Sequence, residues 1–510
     1  MTIKKRLVAK ICLSILMAFC LMLSATAQAF AATSDWLGYA DSGNGSSYVT
    51  RNTPTSYAQL NWSFDYSTYV VNEYANASEP VLYGSNVVIA VDDTLLQIDK
   101  TSGYVSSEMT LAGIVGYTTR TLINGNKIIV PLDGGITECV NLDTMTSLWT
   151  TSTIGSATQS ACTLRAIGNF VYVATCDINY ATSTYNNGHF QKININTGAI
   201  VWDYINATEG YYWTGPAIVD DKVINVTSQG TVQVFSDSTG SILSTLSLGV
   251  ITTSDCIYNS SKNEIYVVTS DGNLNVLTLA TTGAITLSST AQTGLKATQN
   301  TGLSNAVSTP VIAGNNLIIG GQTATSSALS IVNLNNYSNT IISTADGAAL
   351  SSGGIKGSPL VSTVGADTYV YFTVNNADTV DYVTYAGGGG IYMYKLGDTQ
   401  ATELYDAAGF NQYCDSPVIA DAAGNLFYIN DSGNLFGVSA TTTPIVIPPG
   451  ATVPQTVEEV PTWTDDYYPY YSPTSSSSLA STGDTTVCMF FGLLTIVMVA
   501  TSLVVIAYRK

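Results

Sequence analysis

Short apolar stretches alternate with Gly-, Asn- and Asp-containing turns along most of this chain. In one copy of the pattern, the apolar stretch 215–219 ends at an Asp-Asp turn, and the stretches 222–226 and 231–235 follow. A Ser-Thr-Gly step then leads to a fourth stretch, 242–246. Stretches of this length between tight turns predict antiparallel β-strands. The first is apolar on both faces, which is typical of an innermost strand packed between neighbouring sheets.

This four-strand unit occurs eight times, at intervals of roughly 40 to 58 residues, a period typical of β-propellers. We therefore predict an all-β fold, an eight-bladed β-propeller with four-stranded antiparallel blades over residues 32–440. The eighth copy ends after its third strand, near Val438. We expect residues around Leu60–Asp65 to supply its fourth strand, because closure removes the free sheet edges of an open ring. The copies span Ser78–Leu111, Arg120–Thr153, Cys162–Ile205, Gly215–Leu248, Asp255–Thr290, Ser308–Ala345, Gly357–Ala407 and Asp415–Ala440.

A tryptophan recurs on the predicted fourth strand. Trp202 lies four residues after Gly198 of a Thr-Gly step, and Trp149 lies four residues after Met145. The sequence of Asp-Gly turn, apolar strand, Thr-Gly and Trp resembles the pyrroloquinoline-quinone (PQQ) propeller repeat of the quinoprotein dehydrogenase-like superfamily. The resemblance covers about 400 residues. It implies a fold but not an activity, because one fold hosts many functions.

The N-terminal part of the chain agrees with this resemblance. Segments 35–36, 43–45 and 60–64 resemble the lead-in of such domains, with Trp62 on an outer strand. In the superfamily's dehydrogenases, an adjacent Cys-Cys disulfide, a calcium-binding Glu/Asn/Asp set and a catalytic Asp accompany the quinone. This sequence has no Cys-Cys pair. We predict no catalytic residue, no cofactor and no metal, and a PQQ-dependent oxidoreductase remains the alternative.

Other candidate chemistry is sparse. His189 is the only histidine, and no Ser or Cys is placed beside it as a nucleophile. Arg120, Lys296 and Lys356 precede predicted inner strands. They either face the central channel, where they would bind an anionic ligand, or keep ordinary loops soluble.

Three insertions fall between the second and third strands of their repeats, at residues 177–188, 322–327 and 375–390. In a propeller these loops share one face with the loops that join one blade to the next. Aromatic rings beside amides suit sugar rings or protein partners, although the same tyrosines would also pack loops against the ring. The candidate ligand-binding residues on this face are Tyr180, Tyr185, Tyr211, Tyr212, Trp213, Tyr382, Tyr385, Asn411, Gln412 and Tyr413.

Cys162 and Cys176 lie on either side of the predicted turn at 167–169. Residues equally spaced about a hairpin turn face each other, so a disulfide between them or two separate thiols both fit an oxidising compartment. No Cys/His spacing in the chain suggests a zinc site.

Both ends of the chain carry targeting patterns. Residues 1–31 combine basic residues at 4–6, an apolar stretch and small-x-small cleavage sites, which predicts a secretory signal peptide, with a retained anchor as the alternative. Val487–Ala507 is uncharged and long enough to cross a bilayer, and a basic tail follows it. We therefore predict a transmembrane segment with its tail at 485–510.

Residues 441–484 form a Pro-, Ser- and Tyr-rich stretch that predicts an extended stalk, with a Tyr-rich partner motif as the alternative. The stalk ends in Leu479–Gly483, which resembles the sorting signal of Gram-positive sortase substrates, with Ala480 in place of the usual Pro. The resemblance implies cleavage between Thr482 and Gly483 and attachment through Thr482. A plain membrane anchor is the alternative.

Seventeen basic residues against 36 acidic ones give a formal charge of −19, which argues against a nucleic-acid partner. We expect a binding module for protein or carbohydrate ligands at the extracellular face of a Gram-positive cell envelope. Its expected partners are the ligand at one propeller face, the membrane through the C-terminal helix, and a sortase. An envelope assembly scaffold is a further alternative.

Overall fold

A computed structural model describes residues 36–40, 46–70, 77–117, 119–154, 162–179, 184–288, 298–344, 354–375, 389–407, 409–410 and 412–440. The predicted signal peptide, stalk, sorting signal with Thr482 and Gly483, and C-terminal span lie outside these residues. Among the residues that are described, no helix has the length and apolar character needed to cross a membrane.

The described part of the chain forms an eight-bladed β-propeller, and each blade is built on a four-stranded antiparallel sheet, as predicted. Two strands precede the first blade: β1 (Tyr48–Thr50) and β2 (Gln59–Asp65). A 3₁₀ turn follows at Ser67–Tyr69 and another lies at Asp133–Gly135. Blade 1 contains β3 (Val81–Tyr83), β4 (Asn86–Val91), β5 (Thr94–Asp99) and β6 (Val105–Thr110); blade 2 contains β7 (Leu122–Asn124), β8 (Lys127–Leu132), β9 (Ile136–Asn141) and β10 (Thr146–Thr150).

Blades 3 to 5 continue the order. Blade 3 contains β11 (Arg165–Ile167), β12 (Phe170–Ala174), β15 (Gly188–Asn194) and β16 (Ile200–Asn206), with an inserted hairpin of β13 (Asp177–Asn179) and β14 (Thr184–Asn186). Blade 4 contains β17 (Ala217–Val219), β18 (Lys222–Val226), β19 (Thr231–Ser236) and β20 (Ile242–Ser247). Blade 5 contains β21 (Ile257–Asn259), β22 (Glu264–Val268), β23 (Asn273–Leu279) and β24 (Ile285–Leu287), and β25 (Thr298–Asn300) also pairs with β23.

Blades 6 to 8 complete the ring. Blade 6 contains β26 (Val311–Ala313), β27 (Asn316–Gln322), β28 (Ser327–Asn333) and β29 (Asn339–Ser343). Blade 7 contains β30 (Leu360–Val364), β31 (Asp367–Thr373), β32 (Ile391–Lys395) and β33 (Thr402–Tyr405). Blade 8 contains β34 (Ile419–Ala420), β35 (Leu426–Asn430), β36 (Asn434–Ser439) and the N-terminal β2.

Burial along the strands follows the pattern of apolar residues. The second strand of blade 4, β18, is buried throughout, whereas its outer strand β20 alternates half-buried and exposed positions. The core lies between adjacent blades, as where Val88 of blade 1 and Ile128 of blade 2 share one apolar cluster. Each sheet is therefore covered on both faces except at its outer strand, which explains the near-continuous apolar runs of the inner ones.

The ring closes as the sequence predicts. Strand β2 pairs antiparallel with β36, with Leu60 opposite Val438 and Phe64 opposite Leu435. An N-terminal strand and three C-terminal strands thus share blade 8, and no half-finished sheet is left at its edge.

Tryptophans on outer strands connect neighbouring blades. Each indole nitrogen donates a hydrogen bond to a carbonyl in the turn before the fourth strand of the next blade. Each ring also covers the glycine of that turn, where a Cβ would approach the ring to within 3 Å. The pairs are Trp62 with Lys100 and Gly103 (2.9 Å), Trp149 with Ile195 and Gly198 (2.8 Å), and Trp202 with Asp237 and Gly240 (2.8 Å).

The N-terminal segment, residues 36–40 and 46–54, lies along the inner edges of the first strands. The Trp36 carbonyl accepts a hydrogen bond from Leu82 N of blade 1 at 2.9 Å, and the Leu37 carbonyl accepts one from Ile123 N of blade 2 at 2.7 Å. Strand β1 adds in parallel to β30 of blade 7. The segment therefore occupies the centre of the ring, a placement that the sequence did not predict.

No disulfide joins Cys162 to Cys176, both of which lie in the described part of the chain. Strands β11 and β12 pair Arg165 with Tyr172 and Ile167 with Phe170. This register, if continued, puts Thr175 and not Cys176 opposite Cys162. Because a shift of one residue turns a side chain to the other face of the sheet, the Cys162 and Cys176 side chains do not face each other. The predicted pairing is therefore corrected. Cys162 Sγ instead donates to the Tyr211 carbonyl at 3.0 Å.

Candidate functional site

One face of the propeller, which we call the loop face, carries the second-to-third-strand hairpins and the loops between blades. These connections share a face because successive antiparallel strands alternate in direction. The inserted hairpin of blade 3 lies on it, against the loop to blade 4. Gly188 N donates to the Glu209 carbonyl at 3.1 Å, and Gly210 N donates to the Tyr185 carbonyl at 2.9 Å.

Three of the predicted binding residues form a continuous row on this face, which we call the aromatic stack. The rings of Tyr185 and Tyr212 have centroids 4.7 Å apart and planes 14° from parallel. Tyr212 stacks in turn on Trp213, at 5.2 Å and 12°. All three side chains are half-buried, so each keeps some contact with solvent.

Tyr211 does not belong to this row. Its side chain is fully buried, its hydroxyl donates to Gln233 Oε1 at 2.6 Å, and its ring packs against Phe190. The expected binding role is therefore corrected to a packing role, since a ligand at the loop face does not reach this ring.

The remaining predicted positions are divided between described and undescribed residues. Tyr413 is half-buried and lies below Lys356, whose Nζ is 4.5 Å from the ring centroid. The same Nζ is 5.9 Å from the centroid of the Trp213 indole. Lys356 therefore lies between the aromatic stack and Tyr413. Gln412 is also half-buried. Asn411, Tyr180, Tyr382, Tyr385 and Lys296 lie outside the described residues.

Arg120 forms part of the floor beneath this face. Its Nη1 donates to Thr163 Oγ1 at 2.7 Å and to the Trp213 carbonyl at 3.1 Å, and it lies 3.7 Å from Asp255 Oδ1. Its guanidinium carbon lies 3.4 Å from the centroid of Tyr39, in the N-terminal segment. Only 5% of the side chain is exposed. Arg120 is thus a buried structural cation, and it shares the Asp255 carboxylate with Arg165, whose Nη2 lies 3.2 Å from Asp255 Oδ2.

The acidic residues of this region, Glu79, Asp255 and Asp415, were not predicted as part of the site. Glu79 and Asp255 occupy the same repeat position as Arg120, just before the first strand of their blades, and Asp415 lies one residue earlier in its own copy. An alignment of the eight repeats on their inner strands would have shown that these charged residues lie at the same position or one residue from it. Together these side chains place both signs of charge around the axis of the ring.

Burial perturbs the carboxyl groups of this region. It raises the pKa of Glu79 to about 8, against the opposing attraction of Arg120. Burial also raises the pKa of Asp415, although Lys356 and Arg120 oppose the change. The Asp431 side chain reaches solvent, but protein surrounds much of it. This partial desolvation, together with the charge of Asp415, raises the pKa of Asp431 to about 7.

Two further observations bear on chemistry. His189 Nδ1 lies 3.0 Å from Asp203 Oδ2 on the rim of blade 3. Within the described ranges, no three His, Cys, Asp or Glu side chains are grouped so as to hold a metal ion.

No protein-family model matches the chain, and no curated protein matches it. Among solved structures, BamB from Moraxella catarrhalis is 13% identical with a TM-score of 0.50, over 75% of this chain and 99% of that one. The computationally designed Ika8 protein is 13% identical with a TM-score of 0.52, over 72% and 98%. The C-terminal WD40 domain of Sif2 is 11% identical with a TM-score of 0.48, over 76% and 99%. The first two likenesses support the propeller fold.

Proposed function

We propose that this protein is an exported, surface-anchored binding module whose loop face takes a protein or carbohydrate ligand. The observation that carries the proposal is the aromatic stack of Tyr185, Tyr212 and Trp213, three half-buried rings of which each neighbouring pair is nearly parallel. Flat rings of this kind bury apolar area with little loss of side-chain freedom. They suit the C–H face of a sugar ring or the apolar side chains of a partner protein.

The proposed location rests on sequence signals. The signal peptide at 1–31 would direct export, and the stalk at 441–484 would hold the propeller away from the membrane segment at 485–510. A sortase would join Thr482 to the wall of a Gram-positive cell. Fractionation of cells that carry Thr482→Ala tests this part, because loss of the joined residue moves the protein from the wall to the membrane fraction.

Binding is tested with the ectodomain, residues 32–440, by pull-down from surface extracts and by a glycan array. For any ligand found, Tyr212→Ala and Trp213→Ala each weaken affinity by about tenfold or more, as expected for an aromatic contact at the centre of an interface. Tyr57→Ala is the matched control, because Tyr57 is 60% exposed and precedes β2 on the opposite face. Equal affinity of all three variants and the unaltered protein excludes the aromatic stack as the site.

A further inference from the structure

A small cavity opens on the loop face where blade 8 meets blade 1. Asp415 and Asp431 line it together with Tyr66, Tyr117 and Asn430, and we call it the acidic cavity. It has room for a group about the size of one water molecule. Its lining comes from four parts of the chain, namely the segment between β2 and β3, the loop between blades 1 and 2, the loop before β34 and the hairpin after β35, so its shape is fixed by the closed ring.

The Asp415 carboxylate in this cavity has an unused acceptor. Asp415 is 7% exposed, and among the described residues no donor lies within hydrogen-bonding distance of its Oδ1, although Tyr117 and Lys356 both interact with the carboxyl group. Lys356 Nζ lies 3.8 Å from this oxygen, which makes an ion pair but is beyond hydrogen-bonding distance. A buried acceptor without a donor is costly, so the cavity favours a group that brings N–H bonds to it.

Asp431 supplies the second carboxylate at the rim. Its Oδ1 accepts a hydrogen bond from Tyr117 Oη at 2.9 Å, and its side chain is open to solvent. The surrounding protein raises the pKa of Asp431, and the charge of Asp415 raises it further, so the two carboxylates repel each other. A cation placed between them relieves that repulsion.

The surroundings favour an organic cation over a metal ion. Two carboxylates are fewer than the roughly six to eight oxygen ligands that a calcium ion takes, so the donors present do not suit calcium. The rings of Tyr66 and Tyr117 in the wall suit an alkylammonium, since aromatic faces attract such cations. An ammonium group matches the room available, and a sugar ring does not.

We propose that the acidic cavity binds the ammonium group of a lysine side chain presented by a protein partner. This inference rests on the proposed function and narrows its ligand to a protein. The lysine enters at the rim beside Asp431 and donates to Asp415 Oδ1, while the aromatic stack contacts the surrounding surface of the partner.

The test uses the full chain in detergent, with Nα-acetyl-lysine methylamide as the probe and ligand-observed NMR as the readout. We expect saturable binding that falls at least about tenfold when the probe's Nζ is acetylated and in Asp431→Asn. The control is Asp271→Asn, an exposed carboxylate on the corresponding hairpin of blade 5, which removes the same charge and leaves binding unchanged. Asp431 is exposed at the rim, so its variant is expected to keep the fold, which a thermal melt verifies.

Three results overturn the inference: no binding of the lysine probe at millimolar concentration, equal loss in Asp431→Asn and Asp271→Asn, or equal binding of glucosamine. The last result assigns the cavity to an amino sugar. The variants Tyr212→Ala and Trp213→Ala report on the aromatic stack independently of the acidic cavity. If they weaken binding of the natural ligand and Asp431→Asn does not, this inference fails while the proposed function stands.

Discussion

The indole nitrogen of Trp62 donates to the Lys100 carbonyl at 2.9 Å, and its ring covers Gly103 three residues later. Trp62 belongs to blade 8 and Gly103 to blade 1, so this contact locks the two blades on either side of the closure. A Cβ at Gly103 would lie 2.7 Å from the indole Cδ2. The Thr-Gly and Trp pattern seen in the sequence is therefore a contact between blades, repeated where Trp149 and Trp202 meet the next blade.

Gly103→Ala is expected to destabilise the propeller by about 2–5 kcal/mol, from backbone strain at φ +73° plus displacement of the indole. Gly125→Ala is the matched control, with φ +64° and nothing within 4 Å of the added Cβ. Strain alone predicts about 1–2 kcal/mol there. Urea unfolding of both variants measures the difference, and equal losses would show that the indole contact adds nothing.

Trp36→Ala is expected to cost about 3–5 kcal/mol, because the side chain is fully buried in the apolar cluster that also holds Leu82 and Val49. Tyr57→Ala, at an exposed position, is expected to stay within about 0.5 kcal/mol. Denaturant unfolding compares the two. A negligible cost for Trp36→Ala would mean that the N-terminal segment is not an integral part of the folded ring.

Stability is expected to fall as pH rises from about 5 to 8, and Glu79 is one cause. Burial raises its pKa from 4.5 to about 8, so between these values the folded chain binds a proton that the unfolded chain has lost. Raising the pH through this window therefore favours unfolding. Thermal melts across the range should show a shallower dependence in Glu79→Gln. The pH dependence does not vanish in this variant, because the pKa values of Asp415 and Asp431 are raised as well. An unchanged pH dependence in Glu79→Gln contradicts the role given to Glu79.

The ectodomain is expected to show five thiols, all protected while it is folded. Each of the five cysteines at 139, 162, 176, 256 and 414 is at most 2% exposed, and none is in a disulfide in the described structure. Burial raises the pKa of the Cys139 thiol to about 12, so little reactive thiolate forms. A thiol-specific dye should react with five groups after denaturation and almost none before. If only three thiols react in the denatured protein without reductant, two cysteines are joined, and the predicted Cys162–Cys176 disulfide is supported.

The sequence predicted the parts of the fold that repeat. Period and turn chemistry gave the blades, and the unfinished eighth copy gave the pairing of β2 with β36. The path of residues 36–40 was not predictable in this way, because five residues carry no period and their partners Leu82 and Leu122 lie in separate blades. Tertiary contact, and not local pattern, decides such a segment.

The candidate site was predictable to the level of a face but not of a side chain. Tyr211 and Tyr212 are adjacent and chemically alike, yet one turns inward to Gln233 and the other outward to Tyr185. The acidic cavity was also beyond reach, since it brings Tyr117 to Asp431 from positions 314 residues apart.

Closure of blade 8 governs the order in which the chain is able to fold. Ser439 Oγ reaches Asn61 Oδ1 at 3.0 Å across 378 residues of sequence. That last sheet does not exist until residue 439 has been made, and until then β2 has no strand to pair with. Bringing its ends together costs more loop-closure entropy than any hairpin within a blade. Until then the propeller is an open arc with two unpaired strand edges, and we expect a chain truncated before β36 to be prone to association through them.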